Sequence, residues 1–161
     1  MISNDISSPK YRYHTKLKAK SKKIITRKIA EGVGIIVQGP DNRVLVSRRQ
    51  DATAAFYDYC QFPGGGVHRG ETPLEAAMRE LYEETGEKIP PTRFRYLGSA
   101  VRPNESGVGT YIGHCFHIYT ANGERFLNQE PNKQTQWLFW SLDECVQHES
   151  QFIPGLLAYL K

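Results

Sequence analysis

The chain has 161 residues, 39% of them hydrophobic, with a mean hydropathy of −0.54 and a net charge of +4. That size suits one domain with room for a core, and no apolar run approaches the eighteen or so residues of a membrane span or the shorter stretch of a secretory leader. Cys60, Cys115 and Cys145 are an odd number at wide spacing with no CxxC pair, so the expectation is reduced thiols in a cytoplasmic compartment, although a leader removed ahead of this numbering would leave no trace.

Charge divides the chain in two. Residues 1–28 hold nine Lys or Arg against Asp5 alone, whereas residues 29–161 hold twelve basic and sixteen acidic residues. The expected organisation is therefore a flexible basic arm over 1–28 and a folded domain over 29–161. Lys16, Lys18, Lys20, Lys22 and Lys23, with Tyr11, Tyr13 and His14 nearby, suit a polyanion whose phosphates are neutralised and whose bases stack. A solubilising tail of the same composition is the competing reading.

Residues 32–37 and 44–48 are β-branched apolar runs separated by Gly39-Pro40-Asp41-Asn42, which predicts a hairpin. Residues 50–59 read as a surface loop leading through Cys60-Gln61-Phe62-Pro63 into a glycine-rich loop. A helix follows over Pro73–Thr85. Thr72 and Glu75 form a capping box, Pro73 stands at the first helical position, and Gly86 supplies the left-handed stop. On a 3.6-residue period Leu74, Ala77, Met78, Leu81 and Thr85 make the packing stripe, and Glu80, Glu83 and Glu84 gather away from it.

Those three acids cost the helix stability. Like charges at spacings of three and four repel by about 0.2–0.5 kcal/mol per pair, and they lie near the helix's negative end. A hard divalent ion explains them, because it takes carboxylate oxygens, keeps several waters and bridges to phosphates. Arg79 can reach Glu71, Glu75 or Glu83 and orient one carboxylate. A solvated acidic face is the bland alternative, preferable if the glycines and the spacing were absent.

After the helix, residues 94–102, 111–121 and 136–141 have strand composition, with 104–109 as a turn-rich connection. His114 and His117 fall on opposite faces of their strand, which argues against a shared metal. Ser141 and Glu144 form a second capping box, and residues 154–160 are apolar enough to dock as a closing helix. The fold class is α+β, a mixed sheet between helices.

The segment from Gly65 to Gly86 resembles the Nudix box of Nudix (MutT-like) hydrolases. Gly65, Glu71, Arg79, Glu80, Leu81, Glu83, Glu84 and Gly86 are in register, and only Glu87 departs, at a position where an apolar residue is expected and Ile89 can substitute. The resemblance implies an α/β/α sandwich with a central mixed sheet over roughly residues 30–160. It also implies a pyrophosphohydrolase that uses Mg²⁺ or Mn²⁺ to cleave a diphosphate linkage in a nucleotidic substrate. Carried over by position, Glu83 and Glu84 are the principal metal ligands, Glu80 is a further ligand or the base, Arg79 supports them, and the Gly64 carbonyl is the backbone ligand. Glu130 is the candidate distal carboxylate, with Glu124 as the alternative. Arg48 and Arg49 are candidate phosphate clamps. Tyr59, Phe62 and Trp137 are candidate base-stacking groups, each with core packing as the competing role. The basic arm tips the expected partner toward the 5′ end of capped RNA, that is, mRNA decapping. Free nucleotides, such as oxidised triphosphates or nucleotide-sugars, are the alternative, and a non-catalytic nucleotide- or RNA-binding module is the third reading, which the intact acids oppose.

Overall fold

A computed structural model describes residues 29–103, 109–121 and 123–160. The basic arm and the greater part of the 104–109 connection lie outside the described residues. Among the described residues seven strands form one mixed sheet: β1 (Ile29–Gln38), β2 (Val44–Arg48), β3 (Cys60–Gln61), β4 (Gly64–Gly66), β5 (Arg95–Pro103), β6 (Thr110–Tyr119) and β7 (Leu138–Trp140). The path runs β3-β2-β1-β6-β5, with β4 added to β1 and β7 to β2. β1 and β6 run parallel, through ten paired positions from Ile29↔Thr110 to Gln38↔Tyr119, and the other strand pairs among the described residues are antiparallel. The expected hairpin is present as the antiparallel β1–β2 pair, turning through Asn42 in the left-handed region that asparagine tolerates.

Alternation along β1 splits the core between the two faces. Val33, Ile35 and Val37 join Ala77 and Leu81 of helix α1 (Pro73–Thr85), Ile89, Phe116, Ile118 and Trp137 on one side. Ile36, Val44, Val46, Cys60, Phe62 and Cys115 meet Cys145 of helix α2 (Leu142–Gln147), Phe152 and Leu157 on the other. This is the expected α/β/α sandwich. All three cysteines are free and buried. No helix among the described residues is long and apolar enough to cross a membrane.

Three local expectations change. The glycine-rich loop is a strand: Gly64, Gly65 and Gly66 pair with Gly34, Val33 and Gly32 of β1. Glycine disfavours strands by propensity, so this pairing is imposed by close backbone approach, and local sequence did not reveal it. The closing segment is a 3₁₀ helix, Leu156–Leu160, entered through Gly155 in the left-handed region, rather than the expected α-helix. In α1, Glu84 lies on the packed side with Ala76, Ala77, Leu81 and Thr85, so the three acids do not share one solvated face.

Candidate active site

Local chemistry fixes α1 at both ends. The Thr72 side chain accepts from the Glu75 N–H while the Glu75 carboxylate accepts from the Thr72 N–H at 2.8 Å, and Gly86 closes the helix by donating to the Tyr82 carbonyl at 2.8 Å. The last carbonyls are met from outside the helix. Leu127 N–H donates to Thr85, Gln129 N–H and the Trp137 indole donate to Glu84, and the 127–130 segment is thereby tied to the end of α1. Ile89 is buried while the Glu87 carboxylate accepts from the Arg125 backbone at 2.6 Å, so the apolar packing two residues late is as expected.

The acids then lie against β4. Glu84, 5% exposed, accepts from the Gly64 N–H at 2.9 Å. Burial pushes its carboxyl well above the usual range, with that hydrogen bond opposing and the charges of Glu80 and Glu130 adding to the rise. The Glu80 carboxylate occupies the space above Gly65, where a Cβ would collide with it. Its pKa is also raised, by burial first, with Arg79 opposing. Glu83 is half exposed.

Arg79 organises the group. Its guanidinium donates to Glu71 at 2.8 and 2.9 Å, Glu80 at 2.7 Å, Glu83 at 3.1 Å and the Gly66 carbonyl at 2.8 Å. Those bonds hold Glu71 down to about 2. With Arg79 drawing Glu80 and Glu83 to itself, no three acidic, His or Cys side chains among the described residues form a closed metal cage. The donor set still fits a hard divalent ion. A desolvated carboxylate flanked by two others calls for a cation, and an ion that keeps several waters needs only a few of them.

Other expected site residues separate. Glu130 is the acid whose charge reaches Glu80 and Glu84, whereas Glu124 is tied to Arg93. Arg49 lines the cavity that includes Gly64 and Gly65, and donates to Gln61 at 3.3 Å. Arg48 instead donates to the Asp58 carbonyl at 2.6 Å and Gln151 at 2.5 Å, and lines a different depression with Ser47 and Thr135. Phe62 is buried against Phe152 yet borders the Arg49 cavity. Of its two expected roles Trp137 takes core packing: its ring is buried in the α1 core and its N–H is committed to the Glu84 carbonyl. Tyr59 packs edge-on against Phe56 and lines a separate depression with Phe152 and Pro154.

Sequence reasoning missed Lys133. Its ammonium bonds Glu130 at 2.6 Å, and the charges of Glu130, Glu80 and Glu84 raise its pKa together with that bond. The i,i+3 spacing from Glu130 was the available signal. Also missed were Phe56, Arg102 and Tyr111 around the Arg49 cavity, which come from three separated stretches of chain.

A NUDIX domain model matches residues 28–156. An RNA pyrophosphohydrolase of Rickettsia peacockii is 41% identical over 138 residues, covering 78% of this chain and 83% of that protein. An m7GpppN-mRNA hydrolase, NUDT17 of Xenopus laevis, is 39% identical over 72 residues, covering 45% of this chain and 24% of that protein. The matches to RNA pyrophosphohydrolases of Bartonella bacilliformis and Halorhodospira halophila span 35% of those relatives' length. Among solved structures, a MutT Nudix hydrolase from Burkholderia pseudomallei aligns with a TM-score of 0.69 at 21% identity, covering 83% of this chain and 96% of that one. The chain belongs to the Nudix hydrolase family.

Proposed function

We propose that the chain hydrolyses the phosphoanhydride carried at the 5′ end of RNA. The observation that carries the chemistry is the buried Glu84 carboxylate, bonded to the Gly64 N–H and flanked by Glu80 and Glu130. Glu83 and Glu84, with the Gly64 carbonyl, would hold a divalent ion, Mg²⁺ or Mn²⁺. A bound ion of this kind neutralises phosphate charge and lowers the pKa of water. Glu80, raised by burial, is a further ligand or takes the proton from the attacking water. Arg79 holds Glu80 and Glu83 in place through its own bonds. Arg49 meets the substrate's terminal phosphate, and Lys133 lies close enough to the acids to exchange Glu130 for developing charge on the leaving phosphate.

RNA is favoured over free nucleotides by the activities for which the relatives are named and by the basic arm, which suits a polyanion. Relatives matched over most of the chain are RNA pyrophosphohydrolases, and the m7GpppN-mRNA hydrolase is matched over a shorter stretch, so both a triphosphate end and a cap belong to the proposal. The free buried cysteines suit a reducing, cytoplasmic location.

The test is a panel with Mg²⁺: capped RNA, triphosphorylated RNA, free cap analogue, nucleoside triphosphates and ADP-ribose, each with and without residues 1–28. The expected result is an RNA end preferred over the matching free nucleotide by about tenfold or more, with a salt-dependent part lost along with the arm. Equal turnover of free nucleotides, unaffected by arm removal, would overturn the RNA reading.

A further inference from the structure

Behind the cavity that Arg49 shares with Gly64 and Gly65, two buried side-chain amides form a chain of hydrogen bonds. Gln61 Oε1 accepts from the Arg49 guanidinium at 3.3 Å. The Gln61 Nε2 donates to Gln134 Oε1 at 2.8 Å, with Ser47 Oγ at 3.5 Å as a weaker second acceptor. Gln134 is 1% exposed, and its own Nε2 meets no acceptor among the described residues. A buried amide without a partner is destabilising, and an apolar pair of the same shape would serve packing at least as well.

The direction of the chain is set at Arg49. A guanidinium only donates, so it takes the Gln61 carbonyl oxygen. The Gln61 amide nitrogen then needs an acceptor, which turns Gln134 Oε1 toward it and leaves Gln134 Nε2 over. The far end is anchored beside the acids. The Gln134 N–H donates to the Glu130 carbonyl at 3.2 Å, the Gln134 carbonyl accepts from the Asn128 side chain at 2.8 Å, and the Gln129 N–H donates to the Glu84 carbonyl at 3.0 Å. The backbone of Arg49 bridges that of Gln134, and the Gln50 N–H donates to the Lys133 carbonyl at 2.7 Å.

We propose that Gln61 and Gln134 are positioning residues, which hold the Arg49 guanidinium at the substrate's phosphate and tie it to the turn that carries Glu130 and Lys133. The inference rests on the proposed function in giving Arg49 a phosphate to meet, and it holds whether that phosphate belongs to RNA or to a free nucleotide. A free arginine side chain samples many rotamers, and binding must then give them up. The two amides order it beforehand, against a turn that is itself bonded to the end of α1. The unsatisfied Gln134 nitrogen is what that ordering costs the fold.

The test is a mutant cycle on the full chain with Mg²⁺, read as the Kd of the β,γ-methylene analogue of GTP by calorimetry and as KM and kcat on GTP and triphosphorylated RNA. Gln134→Met keeps the volume and removes the acceptor. It should weaken the analogue and raise KM about tenfold, the weight of one hydrogen bond to a charged group. It should leave kcat within about twofold, because Arg49 meets the phosphate before and during the reaction alike and the acids are untouched. Gln134→Glu, whose carboxyl oxygen still accepts from Gln61, should restore both Kd and KM. Arg49→Ala should weaken the analogue further, and adding Gln134→Met to it should change nothing more, since the amide acts only through the guanidinium. Gln61→Met breaks the chain one step earlier and replaces Gln134→Met in the cycle if that variant melts below the assay temperature. A wild type that does not bind the analogue, a Kd unchanged by Gln134→Met, or equal losses from it with and without Arg49 would overturn the positioning role. The two proposals fail differently. Coupling of Gln134 to Arg49 in an enzyme that turns over GTP as fast as triphosphorylated RNA loses the RNA reading alone, whereas preferred RNA turnover with additive losses removes the positioning role alone.

Discussion

Helices α1 and α2 begin alike and end differently. Each opens on a capping box, Thr72 with Glu75 and Ser141 with Glu144, and each covers one face of the same sheet. Helix α2 stops after six residues and contributes the buried Cys145, while α1 continues for thirteen and presses Glu80 and Glu84 against a strand of glycines. Capping therefore specifies where a helix starts. Chemistry depends on what its last turns are allowed to approach.

The sharpest way to break that contrast is to change the buried acid. Glu84→Gln should lower turnover about a thousandfold, equivalent to about 4 kcal/mol of transition-state stabilisation. The same variant should raise the melting temperature in chelator, because it removes a desolvated charge while its side-chain oxygen still accepts from Gly64. The sign follows from the raised carboxyl. The folded chain holds its proton to higher pH than the unfolded chain does, so stability in chelator falls as pH rises above 4.5 through the folded value, and Glu84→Gln flattens that slope. A variant that is both active and no more stable would remove Glu84 from the site.

Next in size is the approach itself. Gly65→Ala places a methyl group where the Glu80 carboxylate sits and should reduce kcat by about a hundredfold. Gly66→Ala meets no atom within 4 Å and should leave kcat near the wild-type value. Equal losses in both would mean that the strand, rather than the space above Gly65, is what matters.

Glu71→Gln is smaller still. Glu71 touches the other acids only through Arg79, so its loss should cost about 10–100-fold in activity at neutral pH. Its folded pKa, near 2, is below the ordinary 4.5, so the stabilisation is complete above 4.5 and disappears as pH falls toward 2. Melting temperatures of wild type and Glu71→Gln should therefore converge across that window. Parallel curves would show that the Arg79 pair contributes no pH-dependent stability.

The contrast also explains what the sequence disclosed. Caps, stop signals and the register of Glu71, Arg79, Glu80, Glu83 and Glu84 are local, and each is legible within a few residues. The β4 pairing was not, because three glycines carry no strand propensity and their partner lies thirty residues earlier in β1. Glu84's burial was hidden for a related reason: helical periodicity orders residues around one axis and knows nothing of Gly64 or Trp137. The cavity was least legible, since Arg102 and Tyr111 meet across the antiparallel β5–β6 pair while Phe56 comes from the loop between β2 and β3.

The smallest predicted effect isolates capping from chemistry. Ser141→Ala and Thr72→Ala each remove one side-chain acceptor from an N-terminal amide, and each should cost about 1 kcal/mol of stability in denaturant unfolding. Thr72 stands at the opposite end of α1 from Gly86, and the Glu84 carbonyl is held independently by Gln129 and Trp137. Fraying the first turn therefore leaves the acids in place, and kcat should match wild type in both variants under conditions where both are folded. If Thr72→Ala lowers kcat and Ser141→Ala does not, then Glu71 and Glu75, which flank Thr72, transmit the cap to Arg79, and the start and end of α1 form one unit.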